Sequence, residues 1–99
     1  MILKSHVNQD GQKIVAIIDD DLLGHIFEND DLLLDFTSAF YQGVAVDPAE
    51  IRTHIRDAYM LNCAGEQTVR FLKEERIISD ADINIIEGVP YVYVLFSED

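Results

Sequence analysis

Cys63 is the only cysteine in the chain, so no internal disulfide can form and a reducing cytoplasm suits the protein. Long apolar runs are missing too. The longest, such as Val89 to Phe96, falls far short of the roughly 20 residues that cross a bilayer. The Met1–His6 stretch has too little apolar length for a signal peptide and reads as a strand. Five glycines are dispersed one by one, which leaves no phosphate-cradling loop. Basic residues are scarce: seven Lys and Arg stand against nineteen Asp and Glu, a net charge of −12. General binding to nucleic acid or to an anionic membrane is therefore not expected, because both need Lys and Arg against phosphate. The acidity suits solubility, a salty cytosol or a basic protein partner.

What is present describes a folded domain. Ninety-nine residues with 48% hydrophobic content supply one core, at the lower end of sizes that fold unaided. The expectation is a single domain over residues 1–99. Five of the seven basic residues fall between Arg52 and Arg76, where they meet four acids. Residues 1–51 carry two bases and ten acids, and residues 77–99 carry five acids and no base. One region thus escapes the acidic trend, as either an anion-facing surface or an internal electrostatic seam.

The local patterns outline an α+β fold. Residues 1–7 and 13–18 are strand-like, and Asp10-Gly11 between them signals a hairpin. Ile14 to Ile18 is apolar on both faces, which places that strand inside the sheet. Asp19-Asp20-Asp21 ahead of Leu22, Leu23, Ile26 and Phe27 predicts a short helix of about two turns, weakened by Gly24 and closed by Asn29. Leu32, Leu34 and Phe36 alternate with Leu33, Asp35 and Thr37 as a half-buried strand, and Phe40-Tyr41-Gln42-Gly43 reads as a turn. Asp47-Pro48-Ala49-Glu50 is a capping-box helix start, and Ile51, Ile55, Ala58 and Tyr59 follow at helical spacing. Residues 48–75 are expected to be largely helical, interrupted at Asn62 to Gly65, with Ala64, Thr68, Phe71 and Leu72 inward. Residues 83–86 and 89–96 read as strands meeting at Glu87-Gly88, the last of them central. The predicted architecture is an N-terminal β-hairpin and C-terminal strands in a mainly antiparallel sheet, packed by a central helical pair.

The order of short motifs carries a resemblance. Leu22-Leu23-Gly24 with Phe27, Phe40-Tyr41-Gln42-Gly43, Asn62-Cys63-Ala64-Gly65-Glu66 with Val69, and Ile86-Glu87-Gly88-Val89-Pro90 together resemble an archaeal family, domain of unknown function 424. The resemblance covers nearly the whole chain. It implies an archaeal cytoplasmic protein with no assigned activity, set among information-processing proteins such as the translation apparatus. It brings no catalytic residues with it. Tyr91 stands where the family often has a histidine, which weakens any proposal of acid–base work there, and Cys63 stands where an aliphatic residue is common.

No chemistry-bearing constellation emerges. His6, His25 and His54 are scattered without metal-ligand spacing. The aspartates at 19–21 and at 30, 31 and 35 lack the spacing of a calcium loop, and a helix N-terminus accounts for the first group. Ser5, Ser38, Ser79 and Ser97 have no nucleophile-elbow context, and Cys63 reads as a packing residue. No metal, cofactor or catalytic residue is therefore expected. Arg52 and Arg56 stand out, since they lie four apart on one helix and repel each other. The chain's own carboxylates are expected to neutralise them, and an anionic ligand or partner is the other option. Asn62, Gly65 and Glu66 form a corner that either packs sterically or offers backbone N–H groups to an anion. The expected binding residues are Arg52, Arg56, Asn62, Gly65 and Glu66, joined by Tyr41 and Gly43. Two functions fit: an adaptor docking on a protein or ribonucleoprotein, or a small-molecule enzyme whose site is assembled from dispersed polar residues. A homo-oligomer stays open.

Overall fold

The computed structural model describes residues 1–96; Ser97, named above among the serines, lies outside the described residues. The first hairpin forms where the sequence places it. β1 (Ile2–Val7) and β2 (Lys13–Ile18) pair antiparallel from Ile2 opposite Ile18 to Val7 opposite Lys13. The Asn8 side chain accepts from the N–H groups of Asp10 and Gln12 at 2.9 Å each, so the loop supplies its own hydrogen bonds.

The two-turn helix expected after β2 does not form. A 3₁₀ turn covers Asp20–Leu22, and the chain then enters β3 (Ile26–Glu28), which pairs antiparallel with β4 (Leu33–Asp35). Gly24 decides this: at φ +87° it turns the chain, and its N–H donates to the Phe36 carbonyl at 3.0 Å. Pairing with β4 satisfies the backbone that a helix would otherwise have satisfied internally. Leu34 and Phe36 point inward and Leu33 outward, as their alternation predicts. A 3₁₀ turn at Ala39–Tyr41 leads to β5 (Val44–Ala45), which pairs with Ile2 and Leu3.

α1 (Pro48–Ile55) starts as expected: Asp47 Oδ1 accepts the Glu50 N–H at 2.9 Å, and proline opens the first turn. It then ends at Ile55, well before the expected interruption. Residues 60–64, read as helix end and break, form β6 (Met60–Ala64) instead. This strand runs parallel to β2 and antiparallel to β8 (Val89–Leu95), so it sits near the middle of the sheet. Leu61 and Cys63 are buried on one face while Met60, Asn62 and Ala64 take the other, a period of two hidden in a short segment. α2 (Glu66–Glu74) follows and closes with Arg76 at φ +59°. There the Arg76 N–H reaches the Lys73 carbonyl and the Ile77 N–H the Leu72 carbonyl, the paired bonds of a Schellman end. β7 (Asn84–Ile86) and β8 meet at Glu87-Gly88, both at positive φ, as a two-residue hairpin demands.

The result is an α+β fold whose main sheet has the order β5-β1-β2-β6-β8-β7. One face packs α1 and α2 through Val15, Ile17, Leu61 and Val92 against Ile51, Val69 and Leu72. The other face is covered at one end by the β3–β4 hairpin through Leu34, Phe36 and Leu22 over Ile18, Ala64 and Ile86. Ile51, Leu72 and Val92 are fully buried as expected, and Ile55, Tyr59 and Val94 are half-buried. No helix of the described residues is long and apolar enough to cross a membrane.

Candidate functional site

The corner singled out in the sequence lies at the carboxyl ends of β2 and β6, and Asp19 organises it. Gly65, the N-cap of α2, has no side chain to offer the helix start. Asp19, only 8% exposed at the end of β2, supplies the missing acceptor. Its Oδ2 accepts the Gln67 N–H at 2.9 Å, and its Oδ1 accepts both the N–H and the hydroxyl of Thr68 at 2.8 Å. A Cβ on Gly65, at φ +110°, would overlap that carboxylate, so glycine is required twice over. The donors that an external anion could use therefore face a carboxylate of the same chain. Glu66 is exposed beside them, lining with Asp20, Asp21 and Arg70 an acidic cleft of about 410 Å³. Among the described residues, no group of three His, Cys, Asp or Glu side chains is placed to hold a metal ion.

Arg52 belongs to an internal seam. Its Nε donates to Glu75 Oε1 at 2.6 Å and Nη2 to Oε2 at 3.3 Å, and its guanidinium lies 5.6 Å from the Phe71 ring centre. The hydrogen bond and charge of each partner raise Arg52 and hold the Glu75 carboxyl below its usual range. Arg56 is exposed and, among the described residues, has no carboxylate within ion-pair distance. Arg70 makes no ion pair with Glu66 or Glu74 either, and Lys73 turns to Asp80 at 2.6 Å. Gly43 passes so close to β1 that a Cβ would overlap the Leu3 carbonyl, a packing requirement.

Tyr41 and Asn62 lie on the opposite side of the sheet from the arginines. The strand registers line up His6, Ile14, Met60 and Leu95 in one row across that face, and Lys4, Ala16, Asn62 and Tyr93 in the next. Only the following row, Ile2, Ile18, Ala64 and Tyr91, lies under the β3–β4 cover. On the β1–β2 side of the other two rows the Ala39–Tyr41 turn closes over the sheet and Ala16 is buried, while on the β6–β8 side Leu95 is 58% and Tyr93 49% exposed; Ile14, Met60 and Asn62 are half-exposed. Tyr41 borders them, edge-on to Phe36 at 4.8 Å and to Phe40 at 4.9 Å, with Tyr91 and Tyr93 in the same recess. Phe40 stacks flat on His6 at 4.3 Å, and His6 Nε2 donates to its carbonyl at 2.9 Å. Burial pushes the Tyr41 hydroxyl up to about 12, with Tyr93 and Cys63 adding to it, and burial raises Tyr93 as well. These phenols stay neutral near pH 7, so the face can offer apolar contact and hydrogen bonds but no phenolate base.

Of the residues expected to bind, the structure sets Asn62 on the sheet face that Tyr41 borders, places Gly65 and Glu66 at the Asp19 corner, and leaves Arg52 and Arg56 in the helical layer. The sequence reading passed over Tyr93, Leu95, Met60 and Ile14. For Tyr93 and Leu95 the sequence signal is the odd-numbered series in Val89 to Phe96, a run that reads as apolar on both faces.

The shared motifs now have structural duties. Gly65 makes room for Asp19, Gly88 and Glu87 turn the last hairpin, and Glu87 accepts the Glu28 N–H at 2.9 Å to fasten β3. Among curated proteins, none matches the chain. Among solved structures, an uncharacterised conserved protein from Methanopyrus kandleri is similar, with a TM-score of 0.77 and 25% identity over 99% of this chain and 94% of that one. A family described as proteins of unknown function, DUF424, matches residues 7–95. With that match running over nearly its whole length, the chain belongs to the DUF424 family of proteins of unknown function.

Proposed function

We propose that this protein is a non-catalytic cytoplasmic adaptor, one domain over its 99 residues, that docks on a basic protein of a ribonucleoprotein assembly. The uncovered half of the sheet face carries this reading. Ile14, Met60, Tyr93 and Leu95 form a flat apolar strip around the Asn62 amide, in a chain of net charge −12. Apolar contact flanked by charge is what a protein interface uses, and the sign of the charge selects a Lys- and Arg-rich partner. The setting in translation or RNA processing rests on the family resemblance. The enzyme alternative calls for buried polar groups converging on a cavity. Asp19 and Thr68 are the buried polar side chains of the described residues, and both are engaged in capping α2.

The test is photo-crosslinking from benzoylphenylalanine placed at residue 60 or 95, with residue 50 on the helical layer as control, in native cytosol. An adduct to one basic protein from the two face positions, absent from the control and resistant to nuclease, supports the adaptor. Labelling that is equal from all three positions refutes the face. Adducts to RNA alone or to a second copy refute the proposed partner.

A further inference from the structure

β7 is too short to cover its neighbour. Two bonds fix the phase of the β6–β8 ladder: the Gly65 N–H donates to the Pro90 carbonyl at 2.8 Å, and the Phe96 N–H to the Tyr59 carbonyl at 2.9 Å. In an antiparallel pair the bonding residues alternate, so Pro90, Val92, Val94 and Phe96 turn their backbone groups toward β6. Tyr91, Tyr93 and Leu95 turn theirs to the opposite edge. β7 takes up only Val89 and Tyr91 there, through Ile86 and Asn84. At Ile83 the chain leaves the ladder, its N–H bending back to the Asp80 carbonyl at 3.2 Å. Among the described residues, the N–H and C=O of Tyr93 and Leu95 are left without a strand partner.

Proteins usually blunt such an edge with lysine, a bulge or a covering loop. This one does not: Val89 to Phe96 contains no charged residue, and Tyr93 and Leu95 are about half-exposed. The charge lies beside the edge. Asp82 and Asp80, the latter paired with Lys73 at 2.6 Å, stand in the 3₁₀ turn into which the chain departs, Glu87 sits at the hairpin end, and residues 77–99 hold five acids without a base.

We propose that the open edge of β8 is a strand-addition site, filled by an extended Lys- and Arg-rich segment of the partner protein. This rests on the adaptor reading and names how the partner is held. The segment's backbone pairs with Tyr93 and Leu95, its apolar side chains extend the strip of the open face, and its cations meet the acidic turn.

Amide hydrogen exchange on the full chain tests the proposal, with an alternating Lys-Val decapeptide and its Glu-Val counterpart as probes. In the free protein, the Tyr93 and Leu95 amides exchange on the order of a hundredfold faster than those of Val92 and Val94, which β6 protects. The basic peptide slows Tyr93 and Leu95 alone and binds at least about tenfold tighter than the acidic one, a preference that fades in high salt. Leu95→Pro removes one outward N–H and Tyr93→Lys adds a like charge; each weakens the basic peptide about tenfold, and the second keeps the ladder intact. Tyr93 and Leu95 amides already protected at high protein concentration mean that a second copy fills the edge, which overturns the proposal. So does failure of the basic peptide to bind or to alter their exchange. If crosslinking from residues 60 and 95 still finds a basic protein, the adaptor survives and only the strand addition falls.

Discussion

Asp19→Ala is the most informative single change in this fold. The carboxylate caps α2 from a distance of 48 residues and takes three donors, at 2.8–2.9 Å. Losing an N-cap side chain costs about 1 kcal/mol. The Thr68 hydroxyl, in a fully buried residue, is left without its acceptor, which adds about 1–3 kcal/mol. The expected total is about 2–4 kcal/mol. For a domain of this size, each kcal/mol lowers Tm by about 4–8 °C, so the variant should melt about 8–32 °C lower. Urea unfolding followed by circular dichroism measures the change as a lower midpoint with an unchanged slope. Thr68→Val removes one of the three donors, and combining it with Asp19→Ala should cost clearly less than the sum of the two. A stability within about 0.5 kcal/mol of the parent for Asp19→Ala would show that α2 does not depend on this cap.

Gly65→Ala forces a side chain into a φ of +110° and onto the Asp19 carboxylate, so it should cost about 2–4 kcal/mol, and less in the Asp19→Ala background. Gly11→Ala, at φ +77° in open space, should cost only about 1 kcal/mol by the same urea assay. Arg52→Gln should lower Tm slightly at low salt, and the difference from the parent should vanish in about 1 M salt. Because the Glu75 carboxyl is held below its unfolded value, the pair stabilises fully above the ordinary carboxylate range. That gain should disappear as the pH falls below about 4, and an Arg52→Gln difference that persists at lower pH contradicts the pairing. Arg56→Gln should leave the melt unchanged at both salts, and a loss matching that of Arg52→Gln would mean that Arg56 has an ion partner after all. The Cys63 thiol, 3% exposed and pushed up by burial, should react with Ellman's reagent only as fast as the protein opens. Immediate stoichiometric labelling would place it at the surface.

Signals confined to a few neighbouring residues were legible in the sequence. Asp10-Gly11 and Glu87-Gly88 mark the first and last of the three hairpins, and Asp47-Pro48 marks the start of α1, because turn and cap chemistry is settled within four or five residues. The same holds for the inward set Thr68, Phe71 and Leu72 on α2, whose period is long enough to read. Met60 to Ala64 was not legible. Five residues flanked by helical patterns fit either period, and they are a strand because β2 and β8 stand on both sides to complete their hydrogen bonds. Leu22 to Phe27 went the same way, once Gly24 turned the chain and β4 offered pairing. The candidate site lay beyond the sequence for a related reason. Asn62 and Tyr93 share a face only because β6 and β8 hold them in register, Tyr41 reaches that face from the Ala39–Tyr41 turn, and Arg52 is separated from them by the sheet itself. Asp19 and Thr68, 49 residues apart, meet because β2 ends where α2 begins. Composition and local chemistry thus settled the acidic character, the first and last hairpins, the α1 cap and the α+β class. Tertiary structure decided which short segments became strands, which carboxylate capped which helix, and which half of the sheet face was left open, since these depend on hydrogen-bond partners and cover that arrive from distant parts of the chain.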